Sequence, residues 1–460
     1  MKQRLYMVCA ILVLFIGLNS CKQEWLEAKP NKALVVPTTI TDYQALLDNT
    51  GGTGGLNINQ PSMAMVGDGD YFVSDATFNA LRTSAEKGAY TWAPTDSFYG
   101  GSVSGEWRNT YAQVLQANIV LDGISKLAID PQNQTNFNNV RGSALFFRAF
   151  YFFNLSQQFC KVYDDVNSEN DLGLPLRVSS NVNIQVNRAS VRETYDQIIN
   201  DVSQAIPLLP VNPLYPTRPS KPAAYGLLAR IYLSQGKYKT AMLYADSCLQ
   251  LQSSLMDYNQ LNLTLASPIL RFNAEVIFHS QLTGFLSANP PNLIVDPTLF
   301  ASYSANDLRK NVFYLNSSGV NTLRTSYAGN SFLLFGGIAT DEIYLIRAEC
   351  YAREGNISSA MNDLNFLLRN RWRTGTYVNQ TAASGDVALA IILNERRKEL
   401  SFRNLRWTDL RRLNKEVRFQ ITLTRTVNGQ TYTLPPNASR YVLPIDDQEI
   451  LLGGLQQNPR

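Results

Sequence analysis

A single histidine among 460 residues, His279, sets the first limit on the acid–base or nucleophilic chemistry open to this chain. It sits in Glu275-Val276-Ile277-Phe278-His279, which reads as a buried strand or helix end with a structural histidine. No Gly-x-Ser-x-Gly turn provides a serine for it to activate, so a histidine-dependent triad is rejected. A glycosidase needs only two carboxylates, and 37 acidic residues leave that class open on sequence alone. Glu395 and Glu399 lie one helical turn apart, but Arg396, Arg397, Lys398 and Arg403 surround them, and a solvated or interhelical ion network is expected instead. The run Gly51 to Gly55 lacks the Gly-Lys-Ser/Thr of a phosphate loop, and Asp68-Gly69-Asp70 fits an Asp-Gly turn better than any full calcium loop. Cys160, Cys248 and Cys350 fall in or beside apolar helical patterns and are expected as inert buried thiols. The expectation is therefore no catalytic residue, no metal and no cofactor.

Binding chemistry is better represented. Tyr90, Trp92, Phe98 and Tyr99 fall in a polar, glycine-rich stretch just before a helix, with Asp96 and Asn109 close by. Sugar rings present apolar C–H faces that stack on exposed aromatics, while their hydroxyls bond to amides and carboxylates. Tyr90, Trp92, Asp96, Phe98 and Tyr99 are accordingly the expected ligand contacts, with ordinary loop packing as the competing reading.

Where the chain works is written in its first residues. Lys2 and Arg4 precede an apolar run of about 14 residues from Leu5 to Leu18, shorter than the roughly 20 that span a bilayer, and Asn19-Ser20-Cys21 follows. This reads as a lipoprotein export signal over residues 1–20, expected to be cleaved so that Cys21 carries acyl chains such as palmitate. Each buried methylene contributes about 0.8 kcal/mol, so several chains give lasting attachment. Removing Lys2 and Arg4 from 41 basic residues, against 37 acidic ones, leaves a net charge of only +2, which gives no pull toward nucleic acid.

The elements that must position these residues are mostly helical. Ala229 to Ala241 and Ala348 to Ala360 match at an offset of 119 residues, sharing Ala229/Ala348, Tyr232/Tyr351, Gly236/Gly355 and Ala241/Ala360. That spacing is a tetratricopeptide-like helical hairpin, with a glycine turn and an alanine where the second helix approaches closely. Further helices are predicted over Trp107–Leu127, Val140–Phe159, Arg192–Leu209, Asp386–Phe402 and Arg406–Leu413. The third begins at a capping box formed by Ser190 and Glu193. Residues 51–55, 174–187 and most of 253–337 read as loops with short strands.

In this order the residues resemble the SusD/RagB family of surface nutrient-binding lipoproteins of Bacteroidota. The resemblance rests on Cys21 with Glu24-Trp25-Leu26; on Trp107, Tyr111, Ala117 and Asn118; and on Arg141 with Phe146-Phe147-Arg148-Ala149-Phe150-Tyr151. It continues through Arg188, Ser190, Tyr195 and Asp201, Ala223 to Arg230, Glu395 to Leu400, Arg406-Trp407 with Asp409-Leu410, and Gln457-Asn458-Pro459. Arg403-Asn404 departs from the acidic residue and glycine common there, which puts a helix end in question. The resemblance implies a mostly α fold in which tetratricopeptide-like hairpins support a loop-rich ligand-binding face. The division expected is a lipid-anchored tether over 21–40 and one domain over 41–460, with scaffold at 107–251 and 340–413 and a loop-rich insert at 252–339. It also implies a non-enzymatic role at the cell outer membrane, facing the exterior: capture of an oligosaccharide or peptide for a SusC-like TonB-dependent transporter. A glycan ligand is expected, with a peptide or glycopeptide receptor, a helical-repeat interaction module and a glycosidase as alternatives.

Overall fold

The computed structural model describes residues 36–52, 54–95, 98–290 and 292–460, so the export signal, Cys21, Trp25 and Asp96 lie outside the described residues. Sixteen α-helices occur among the described residues, and strands come only as short pairs. The helices are α1 (Ile40–Asp48), α2 (Met63–Val66), α3 (Asp75–Ala80), α4 (Ser84–Tyr90), α5 (Gly105–Ile124), α6 (Gln134–Phe159), α7 (Val191–Ala205), α8 (Lys221–Ser234) and α9 (Tyr238–Leu251). They continue with α10 (Pro297–Ala301), α11 (Arg309–Phe313), α12 (Thr340–Arg353), α13 (Ile357–Arg369), α14 (Gly385–Glu399), α15 (Arg406–Leu413) and α16 (Asp447–Gly453). None is long and apolar enough to cross a membrane.

The 119-residue offset is kept by both helices of the hairpin: α8 starts at Lys221 and α12 at Thr340, α9 at Tyr238 and α13 at Ile357. Ala229, Ala241, Ala348 and Ala360 are fully buried, as close helix approach requires. Gly236 and Gly355 take φ of 74° and 78° at the turns, a left-handed conformation that glycine adopts without steric cost. α9 packs on α12, which joins the two hairpins into one continuous stack, and α5, α6 and α7 extend it on the N-terminal side.

α6 is the central core helix, buried on nearly every side. Phe146 stacks on Phe150 and Phe147 on Tyr151, both i,i+4 pairs with centroids 5.9 and 6.0 Å apart, and Phe278 meets this surface edge-on from the Val276–Phe278 strand. The capping box of α7 is present, with the Ser190 hydroxyl accepting from Glu193 N–H and the Glu193 carboxylate accepting from Ser190 N–H. After α14 the chain turns through two left-handed residues, Phe402 and Asn404, and the turn aims Arg403 into the interior against Asp341 at 2.7 Å.

Candidate ligand-binding site

The four described aromatics expected to meet ligand are core residues. Tyr90, Trp92, Phe98 and Tyr99 are 1, 2, 1 and 7% exposed. Each is tied to distant backbone. Val73 N–H donates to the Tyr90 hydroxyl, Trp92 Nε1 donates to Gly67 O at 2.9 Å, and the Tyr99 hydroxyl donates to Pro444 O at 3.0 Å. Arg425 lies over the rings of Tyr90 and Trp92 at 4.0 and 5.1 Å and donates to Val66 O and Tyr90 O. Trp92 also packs with Trp407 and Tyr441. The expectation of free ring faces is therefore corrected: a polar, glycine-rich stretch has little apolar surface of its own, and these rings fasten it to the C-terminal part of the chain. The contribution of Asp96 lies outside the described residues.

The charge-dense run on α14 is an interhelical ion network. Arg309 pairs with Asp307, Glu395 and Glu399 at 2.7, 2.6 and 3.0 Å, and Arg371 bridges Glu399 and Glu275 at 2.8 and 2.9 Å. Arg396 reaches Asp409, Arg397 reaches Asp70, and Lys398 reaches Asp307 and Glu395. Glu395 and Glu399 are thus occupied by guanidinium groups instead of facing a substrate cleft. Glu275, Asp341 and Glu399 approach closely enough to hold a cation, but Arg371 and Arg403 already fill that role. Burial pushes the Glu275 carboxyl up to about 7, against the pull of Arg371. Asp68 and Asp70 form the expected turn, with Asp70 N–H donating to Asp68 Oδ1.

Open space lies elsewhere. A cleft of about 730 Å³ is bounded by the segment after α6, the end of α15 and the C-terminal loops. Lys161 pairs with Asp171 at 2.6 Å and Lys415 with Asp164 at 2.7 Å along it, while Asn167, Asn170, Asn437 and Ser439 add amides and a hydroxyl beside Leu172 and Val442. Its volume falls in the range of small-ligand sites, and alternating donors and acceptors beside apolar patches suit polyhydroxylated molecules. Sequence reasoning did not single out these residues. The only local signal was the density of Asp and Asn between Asp164 and Asp171.

His279 is buried between Phe272 and Phe335, with ring centroids 4.9 and 5.7 Å away, and burial drives its imidazole down to about 3. The unfolded chain takes up this proton near pH 6.5 while the folded chain refuses it, so stability contributed above pH 6.5 is lost as pH falls toward 3. Urea unfolding at pH 6.5 and 4.5 should show His279→Leu gaining about 2 kcal/mol relative to wild type on acidification; parallel pH dependence in the two proteins would contradict a neutral buried imidazole. Cys160, Cys248 and Cys350 are free and buried, and burial raises all three thiols above their ordinary value, Cys160 to about 11.

Comparison with known proteins agrees with this architecture. Residues 24–233 match the family described as starch-binding and associating with the outer membrane, and residues 340–460 match the SusD family. Among solved structures, a SusD superfamily protein from Bacteroides vulgatus superposes with a TM-score of 0.72 at 20% identity, covering 92% of this chain and 99% of its own. A SusD-like carbohydrate-binding protein from the same species gives 0.68 at 22%, over 91% and 97% of the two chains. A laminarin-binding SusD-like protein gives 0.66 at 18%, over 92% and 99%. No curated protein sequence matches. The fold and the matches at both ends place the chain in a class of helical-repeat proteins whose family descriptions refer to starch binding and association with the outer membrane. The chain belongs to the SusD/RagB family.

Proposed function

We propose that this chain is a lipoprotein of the cell outer membrane, facing the exterior, that captures an oligosaccharide without cleaving it and delivers it to a SusC-like TonB-dependent transporter. The observation that carries this reading is the match of residues 24–233 to a family described by starch binding at the outer membrane. The cleft of about 730 Å³ and the bound state of Glu395 and Glu399 support binding over hydrolysis. Cys21, the first residue after the export signal, supplies the anchor.

The test is purification of the tagged chain from detergent-solubilised outer membranes. A TonB-dependent barrel should co-purify with wild type, and Cys21→Ser should move the protein into the soluble fraction. Membrane recovery that Cys21→Ser leaves unchanged would overturn the anchor, and recovery with no barrel would overturn delivery.

A further inference from the structure

Three loops that are far apart in sequence meet above His279. His279 N–H donates to Pro216 O at 2.7 Å, which fixes the 214–217 turn beside it, and Phe272 packs edge-on against the imidazole. The third loop is held against the second at Gly329, where a Cβ would come within 2.9 Å of the Arg271 backbone nitrogen. Its tip is shaped from within: the Asn330 carboxamide oxygen accepts from both Phe332 and Leu333 N–H, and the Ser326 hydroxyl donates to Leu333 O at 2.6 Å. These bonds fix loops that hold their aromatic side chains outward. Tyr215 is 56% exposed, Phe272 40% and Phe332 62%. This is the opposite of the Tyr90–Tyr99 stretch, whose rings are all covered.

Two further features separate this patch from scattered surface hydrophobics. Phe272 has φ of 58°, a conformation rare for a bulky residue and one that concentrates at ligand clamps. The Arg271 guanidinium lies 4.4 Å from the centre of the Phe272 ring, exposed, with no acidic partner among the described residues. Most other arginines here are engaged, Arg218 beside Tyr215 being held by Asp48 at 2.5 Å. A stacked, unpaired guanidinium next to open rings offers planar donors beside apolar faces, the combination that recognises adjacent hydroxyls on a pyranose whose C–H face is stacked.

We propose that Tyr215, Arg271, Phe272 and Phe332 form a glycan-stacking platform. It rests on the glycan-binding reading above and adds a grip outside the cleft after α6: Phe272 and Phe332 stack on sugar rings, and Arg271 donates to vicinal hydroxyls. The strained Phe272 backbone, fixed before ligand arrives, presents the ring without an ordering cost at binding.

The experiment is calorimetric titration of a soluble form beginning at Lys22 with a panel of neutral oligosaccharides, for wild type, Phe332→Ala, Phe272→Asn and Arg271→Ala. Phe332 and Arg271 are exposed, so thermal melting should be unchanged in Phe332→Ala and Arg271→Ala, while Phe272→Asn keeps the left-handed backbone but loses the ring's packing on His279 and should melt somewhat lower. Each ring variant should weaken binding about tenfold, and Arg271→Ala by a similar factor. Wild-type affinity in all three folded variants overturns the platform while leaving glycan capture standing. Failure of wild type to bind any oligosaccharide overturns both. Should Phe272→Asn alone melt early, Phe332→Ala and Arg271→Ala still decide the question.

Discussion

Replacing Arg371 by methionine should cost about 3–5 kcal/mol of stability, a large share of what holds a domain folded. Arg371 is fully buried, with its cation 4.2 Å from the centre of the Tyr258 ring. Nη2 donates to both oxygens of Glu275, Nε donates to Glu399, and Nη1 donates to Met256 O at 2.8 Å. Methionine fills much of the volume but leaves Glu275 without its cation, and an uncompensated buried charge is costlier than the pair is favourable. Adding Glu275→Gln to Arg371→Met should therefore recover part of the loss, which thermal melts of the single and double variants would measure. The pH dependence has a definite sign. Burial already holds the Glu275 carboxyl near 7, and removing Arg371 raises it further above its unfolded value. Stability from a raised carboxyl is present below the unfolded pKa and lost as pH rises through the folded one, so the deficit should shrink between pH 7 and 5. A deficit that grows on acidification would contradict this account of the network.

Trp92→Ala should cost about 3–5 kcal/mol, and Tyr99→Phe about 1 kcal/mol, with ligand affinity unchanged in the protein that remains folded. The indole fills space between Gly67, Trp407 and Tyr441 and donates its N–H to Gly67 O. Its removal leaves a cavity, strands that carbonyl and exposes one face of Arg425. Tyr99→Phe keeps the ring and loses the bond to Pro444 O. Paired denaturation and titration experiments check both halves. A Trp92→Ala variant that melts like wild type but binds ligand poorly would show that burial of this ring does not describe its role.

These two sites mark where the sequence was legible and where it was not. The hairpin repeat could be read because its determinants are local: alanine, tyrosine and glycine at fixed spacing specify close helix approach and a left-handed turn, and both helices of each copy start where that spacing puts them. The α7 capping box and the α15 boundaries were legible for the same reason. The run Glu395 to Glu399 announced an ion network by its composition. Its main partners, Arg309 and Arg371, come from 90 and 28 residues away, and no local pattern names them.

The binding face was the least legible part. With aromatics at 11% of the chain, a ring in a polar loop serves equally well as a platform or a staple, and which it becomes depends on contacts hundreds of residues away. Trp92 has Arg425 and Trp407 over it, whereas Phe332 has no such cover. The paired charges of the cleft after α6 were hidden similarly, because Lys415 meets Asp164 only through the tertiary fold.

Titration of the soluble form beginning at Lys22 with oligosaccharides and oligopeptides, followed by recovery of the ligand, separates capture from cleavage. An oligosaccharide should bind at micromolar strength and be recovered intact. Cleaved ligand, or binding confined to peptides, would contradict it.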